Sequence, residues 1–320
     1  MKAILHLKFG PPEALVYGDA PVPAPADEQA LVRVRASSVN PADYYRATSG
    51  SVFLRLLIGN GILRPKTALI GSDVAGVVEA TGKGATAFKP GDEVFGICLG
   101  AWAELVTVPE RTLVLKPRNV SFEEAAAVPL AALTALQGLS THGGLQPGQK
   151  VLISGASGGV GSYAVQIAKL LGADVTAECS TGKVPLALSL GADRVIDYTK
   201  ERFAVRGDRY DLILVVNGRH PLRDYRRSLS VDGRCVVIGG SIPQVLRVFL
   251  LGRLLGKRYR RRVRGFIMEP NRPDLLRLAG WLEQGRLRSV IDRSYPVADV
   301  AQALRLLREG HAFGKIVLTG

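Results

Sequence analysis

The stretch VLISGASGGVGSYAVQIAKLLGADVTAECST, residues 151–181, constrains the fold more than any other part of this chain. An apolar run is followed by four glycines within seven residues, and then by Ala164, Ile167, Ala168 and Leu171 at helical spacing. A second apolar run comes next. That order predicts strand, loop, amphipathic helix, strand. Gly155, Gly158, Gly159 and Gly161 allow the backbone to approach a pyrophosphate, and the helix N-terminus offers unpaired N–H groups with a partial positive charge. In G-x-G-x-x-G register, Ala156 takes the place of the first glycine. A glycine-rich turn alone also fits a tight structural bend. The strand before it, the helix after it and the further alternating units point to a nucleotide site.

The alternation continues through DVTAE, RVIDY, DLILVV and RCVVIGG, with helix-like segments between them such as LRDYRRSL. Strands alternating with helices over short loops predict an α/β doubly wound parallel sheet of Rossmann type. The tetrad LGAD occurs at 171–174 and again at 190–193, placing Gly172 and Gly191 where a helix ends in a left-handed cap. Residues 1–124 read differently. Short apolar runs broken by Pro and Gly suggest an irregular β domain, with KPGDEV and QPGQKV each setting Pro-Gly before a strand.

Ser121 and Glu124 have capping-box spacing ahead of an Ala/Leu-rich helix in SFEEAAAVPLAALTALQGL. After Gly265 come one more helix, DLLRLAGWLEQGRL, and a final strand, GKIVL, whose partner is expected back in the first domain. At 320 residues the chain exceeds one hydrophobic core. The expected division is a β-rich substrate domain at 1–124, a dinucleotide-binding domain at 125–265, and a return to the substrate domain at 266–320.

Three scattered cysteines (Cys98, Cys179, Cys235) and four scattered histidines argue against a disulfide framework or a zinc lobe, and no metal is expected. No window reaches the roughly 18 apolar residues of a membrane span. MKAILHLKFGPPEA reads as a first strand rather than a signal peptide, so a soluble, cytoplasmic protein is expected. The net charge of +14 owes much to Arg253, Lys257, Arg258, Arg260, Arg261, Arg262 and Arg264. Such a block suits nucleic acid, an acidic membrane surface or simple solvation. Without a nucleic-acid-binding motif, solvation is favoured.

An NAD site usually carries an Asp or Glu at the end of the second strand, where it accepts from the ribose hydroxyl. Here that position falls on Cys179 or Ser180, and Lys183 follows closely enough to neutralise a 2′-phosphate. Glu178 facing the ribose would favour NAD. Strand alternation favours Ser180 and Lys183, hence NADPH.

Several segments together resemble the zinc-independent, quinone oxidoreductase-like branch of the medium-chain dehydrogenases/reductases. They are ASSVNPADYYRATSG, GSDVAGVVEATG, AAAVPLAALTALQGL, GASGGVGSYAVQIAK, SLGADRVIDY and GKIVL. The resemblance implies a GroES-like substrate domain built from both chain ends, a Rossmann-type domain between them, and often a homodimer. Zinc-dependent members carry a cysteine near the position of Asn40 and a His-Glu pair where this chain has Ser72-Asp73.

Carried over by motif, Ala156, Ser157, Gly158, Gly159 and Val160 contact the pyrophosphate, with Ser180, Lys183 and Tyr198 around the 2′-phosphate. Thr134 lies on the linker helix that faces the nicotinamide in relatives. Asn217, Gly239 and Gly240 end strands at the cofactor crevice, and Lys315 is a late cofactor contact. Asn40 positions nicotinamide and substrate, with the turn before Pro41 as its structural alternative. Tyr44 can protonate an enolate or simply pack, and Tyr45 beside it offers a second phenol.

The expected function is hydride transfer from NADPH to a quinone or an α,β-unsaturated carbonyl, without zinc. The leucines of GSVFLRLLIGNGILRP and SIPQVLRVFLLGRLLG suit an apolar acceptor. The alternative is an NADPH-binding protein with little turnover, whose basic face holds nucleic acid or another polyanion.

Overall fold

The computed structural model describes residues 1–48, 61, 64–205, 207–240, 248 and 263–320. Nearly all of the two leucine-rich stretches, and the arginine block apart from Arg264, lie outside the described residues. The chain forms two compact units, Met1–Ala131 with Pro270–Gly320, and Ala132–Glu269. These dividing points fall a few residues beyond 124 and 265.

The first segment opens with an antiparallel ribbon, β1 (Lys2–Leu5) against β2 (Val16–Asp19). β3 (Gln29–Val39) follows, then α1 (Pro41–Thr48), β4 (Asp73–Thr81), β5 (Glu93–Ile97), β6 (Leu105–Pro109) and β7 (Leu113–Leu115). β3 is the hub of this sheet and pairs antiparallel with both β4 and β6. Its side chains meet Val74, Val78, Val94, Val106 and Val108 in one dry cluster. The turn ahead of β5 places Gly91 at φ +93°, a conformation that glycine enters without a Cβ penalty.

The Ala/Leu-rich run, expected as one helix, is two: α2 (Phe122–Ala126) and α3 (Pro129–Leu139). The Ser121–Glu124 capping box forms as expected. The break has a local cause. Pro129 has no N–H to donate, and its ring would crowd the carbonyl of Ala125 in a continuous helix, so it begins a new one.

The second unit holds β8 (Lys150–Ser154), α4 (Gly159–Leu170), β9 (Asp174–Cys179), α5 (Val184–Ser189) and β10 (Arg194–Asp197). It continues with β11 (Tyr210–Val215), α6 (Leu222–Arg227), β12 (Leu229–Val237) and β13 (Val263–Gly265). The six strands run parallel in the order β10-β9-β8-β11-β12-β13, the doubly wound arrangement. Gly172 and Gly191 take φ +81° and +97°, so both LGAD repeats cap their helices as read. Leu152, Ile213, Val215, Cys235 and Val237 pack with Phe203 and Tyr225 on one face of the sheet. Because all strands point the same way, their C-terminal ends line one edge, with the reversal of order at β8 and β11.

The chain then returns to the first unit through α7 (Arg272–Glu283), β14 (Ile291–Pro296), α8 (Val300–Glu309) and β15 (Lys315–Thr319). β15 lies antiparallel to β3, Ile316 opposite Val39, and parallel to β14. Among the described residues no helix is long and apolar enough to cross a membrane.

Candidate active site

Two groups of polar side chains form, one in each unit. In the second, β8 ends at Ser154 and the chain turns through Gly155, at φ +89°, into α4. A Cβ on Gly161 would stand 2.0 Å from the Gly155 carbonyl oxygen, whereas a Cβ on Gly158 would meet only that same oxygen, at 3.9 Å. Gly161 therefore lets the helix start beneath the loop, and Gly158 leaves room above it. The first-turn amides of α4 have no acceptor within the helix and carry its positive end. Room and donors together fit a pyrophosphate.

Ala156 and Ser157 are buried, while Gly158, Gly159 and Val160 are half-buried. Asn217 follows β11, and its amide donates to the Ser154 carbonyl at 3.2 Å. Gly239 and Gly240 follow β12, where Gly240 bridges Gly218 with φ +139°. These residues follow the C-terminal ends of β8, β11 and β12. Thr134 is buried on α3.

Ser180 begins the short turn after β9 and accepts from the Lys183 amide at 2.9 Å. Tyr198 follows β10, and its amide donates to the Cys179 carbonyl at 3.1 Å, which holds these residues at the end of β9. Sequence reasoning missed Arg219, whose guanidinium lies 5.0 Å from the centre of the Tyr198 ring. It also left the side of Glu178 open. The Glu178 carboxylate is buried: Oε2 accepts from the Ser154 hydroxyl at 2.5 Å, and Oε1 lies 2.7 Å from His220 Nε2. Tyr225 completes the knot, with its hydroxyl 3.2 Å from that of Ser154.

In the first unit, Asn40 stands between β3 and α1, 2% exposed. Its Nδ2 donates to Asp43 Oδ2 at 3.0 Å and to Asp73 Oδ2 at 2.9 Å, and its Oδ1 accepts from Lys315 Nζ at 2.5 Å. All polar atoms of the amide are thus oriented. Asp73 Oδ2 also accepts from Ser38 Oγ and lies 3.4 Å from the Lys315 ammonium, while its Oδ1 accepts from the Leu130 amide in the first turn of α3 at 2.8 Å.

Asp43 Oδ1 accepts from the Ser72 hydroxyl at 2.5 Å. Burial, opposed by the Ser72 hydrogen bond and reinforced by the Asp73 charge, raises the Asp43 carboxyl to about 6. Lys315, expected as a cofactor contact, is 3% exposed and holds Asn40 and Asp73 within its own unit. Tyr44 packs beside Ile4, Val39, Ile70 and Trp102, with the more exposed Tyr45 edge-on to it at 5.7 Å. The sequence signal for Asp43 was its place three residues after Asn40. Ser38 gave none.

Zinc does not fit this first group. An amide, a hydroxyl and a carboxylate that already holds a lysine ammonium lack the thiolate and imidazole donors of a catalytic zinc site. Among the described residues, no group of three or more His, Cys, Asp or Glu side chains is placed to hold a metal ion.

Comparison with known proteins agrees with this architecture. Residues 26–118 match the family model described as alcohol dehydrogenase GroES-like domain, and residues 190–318 match one described as zinc-binding dehydrogenase. The chain is 35% identical to the 2-methylene-furan-3-one reductase of Solanum lycopersicum, over 99% of its own length and 79% of that protein. It is 32% identical to the NADPH-dependent alkenal/one oxidoreductase, chloroplastic, of Arabidopsis thaliana, with the same coverage of 99% and 79%. Among solved structures, the quinone oxidoreductase from Coxiella burnetii superposes with a TM-score of 0.88 at 30% identity, covering 100% of this chain and 99% of that one.

Proposed function

The chain belongs to the quinone oxidoreductase-like branch of the medium-chain dehydrogenases/reductases, and we propose that it works there with NADPH and without zinc. It is an oxidoreductase that uses a nicotinamide cofactor to reduce quinones or α,β-unsaturated carbonyl compounds. The observation that carries the NADPH reading lies at the end of β9. The carboxylate that would serve an NAD ribose, Glu178, is bound to Ser154 and His220, while Ser180, Lys183 and Tyr198 line the turn beyond it.

When bound, the nicotinamide supplies the hydride, and a conjugated acceptor delocalises the resulting charge onto oxygen, so no Lewis acid is required. Ala156–Val160 and the first turn of α4 hold the pyrophosphate. Ser180, Lys183 and Tyr198 hold the 2′-phosphate, with Asn217, Gly239 and Gly240 along the crevice and Thr134 toward the nicotinamide. Asn40, fixed by Lys315 and two carboxylates, is a positioning residue. Tyr44, whose ring packs beside Ile4 and Val39, is the proposed donor of the proton that follows the hydride. The reading also includes a homodimer, which light scattering tests.

The test is loss of the reduced-nicotinamide absorbance by metal-free protein, with a naphthoquinone, an aliphatic enone and an aldehyde as acceptors. Turnover is expected with the quinone or the enone, faster with NADPH than with NADH. Dependence on added zinc, equal rates with the two cofactors, or no turnover with any acceptor would overturn it.

A further inference from the structure

A carboxylate at the end of the second strand is a liability for a protein that takes NADPH, because it accepts from a 2′-hydroxyl and repels a 2′-phosphate. This chain carries Glu178, one residue before the end of β9 at Cys179. What surrounds it shows how the liability is handled. Ser154 occupies one carboxylate oxygen and His220 the other, and the side chain is almost wholly buried. His220 is itself held in place: its ring meets Phe203 edge-on at 4.9 Å and Tyr225 at 6.0 Å, and both of those rings belong to the core. The residue before it, Arg219, is exposed and lies over Tyr198 at 5.0 Å. One dipeptide after β11 thus reaches both the carboxylate that would favour NADH and an aromatic ring at the proposed phosphate end of the crevice.

We propose that Arg219 and His220 are the specificity-determining pair of this enzyme. Arg219 contributes positive charge to the 2′-phosphate, and His220 draws Glu178 away from the adenosine ribose. The proposal rests on the NADPH reading above and names the residues that produce it. It involves no chemical step, only a difference in binding between two cofactors that differ by one phosphate. A charge-assisted hydrogen bond and a withdrawn like charge act in the same direction, so they add in the ratio of the two affinities.

The experiment measures dissociation constants for NADPH and NADH by the fluorescence of the bound reduced nicotinamide, with no acceptor present. The proteins are wild type, Arg219→Ala, His220→Ala, His220→Gln and the double variant His220→Ala with Glu178→Gln. Wild type is expected to favour NADPH. Arg219→Ala, an exposed site, should weaken NADPH about tenfold and leave NADH unchanged. His220→Ala should weaken NADPH and tighten NADH, His220→Gln should restore much of the wild-type ratio through its amide donor, and the added Glu178→Gln should abolish the gain in NADH. A thermal melt accompanies each variant, and Arg219→Ala keeps the test decisive if the His220 variants unfold. If wild type favours NADPH yet Arg219→Ala and His220→Ala leave its affinity ratio unchanged, the pair is not the selector and the NADPH reading stands. If wild type binds both cofactors equally, the NADPH reading fails and the proposal with it.

Discussion

At the scale of the residue, the molecule's most consequential feature is the set of charges buried around Asn40. Asp43 and Asp73 are fully buried, and Lys315 is the ammonium bonded among them. The raised Asp43 carboxyl has a definite sign for stability. Its folded value, about 6, lies above its unfolded value, 3.8. Between them the native state holds a proton that the unfolded chain has released, so this group's contribution is intact below pH 3.8 and is lost as pH rises through 6. Asp43→Asn removes that titration and keeps the partners: its carbonyl can accept from Asn40, and its amide can donate to Ser72 Oγ. The thermal midpoint of the variant relative to wild type should therefore rise from pH 4 to pH 7 and level off above. A difference independent of pH would contradict it. Lys315→Met should destabilise by roughly 3–5 kcal/mol, because it leaves Asp73 charged and buried without its cation. Adding Asp73→Asn should recover part of that loss in a double-mutant cycle. Asn40 was legible from the family-like segment ASSVNPADYYRATSG. The task of Lys315 was not, because its partners Asn40 and Asp73 lie 275 and 242 residues away and no local pattern records them.

At the scale of the element, the loop into α4 is set by contact rather than by unusual backbone. Gly161 has no positive φ, yet a Cβ there would collide with the Gly155 carbonyl oxygen at 2.0 Å. Gly161→Ala must push the helix start away from the loop, at a cost of roughly 1–3 kcal/mol in stability. Affinity for the reduced nicotinamide cofactor should fall with it. Gly182, in the turn after β9, has nothing within 4 Å of its absent Cβ, so Gly182→Ala is the control and should be silent in the melt. Equal behaviour of the two variants, measured by melting and by cofactor fluorescence, would refute this account. Elements of this kind were readable in the sequence because their causes are local. The LGAD glycines, the Ser121 capping box and the strand-loop-helix around Gly155 each depend on neighbours within a few residues. The break at Pro129 was readable in principle, but the strong Ala/Leu pattern on either side concealed it. The Glu178–His220 contact spans 42 residues, with α5, β10 and β11 between, and strand alternation alone cannot say what such a carboxylate meets.

At the scale of the whole molecule, the chain closes on itself: a dinucleotide-binding unit is inserted between two pieces of the other unit, and the last strand completes the sheet begun near the start. The sequence announced GKIVL as a strand with a distant partner, but its position in the sheet needed the topology. β15 is not an edge. It lies between β14 and β3, with Ile316, Val317 and Leu318 almost wholly buried and Lys315 beside them. Deleting Lys315–Gly320 would expose one edge of β3 over Ala36–Val39, leave β14 without its partner, and remove the ammonium that holds Asn40 and Asp73. Three buried aliphatic side chains contribute about 1.5–3 kcal/mol each, and the lost ion pair adds to that. Their sum approaches the whole stability of an ordinary domain, about 5–15 kcal/mol. The truncated chain should therefore lose the GroES-like unit as a folded body. Hydrogen exchange would show this as loss of amide protection in β3 and β4, whose ladder depends on a sheet closed from both ends of the chain. Deleting Gly320 alone removes only its long amide bond to the Arg35 carbonyl, at 3.5 Å, and should leave that protection in place. If β3 and β4 stay protected without β15, the closing strand is an accessory, and the order of Asn40 must come from Asp43 and Asp73 alone.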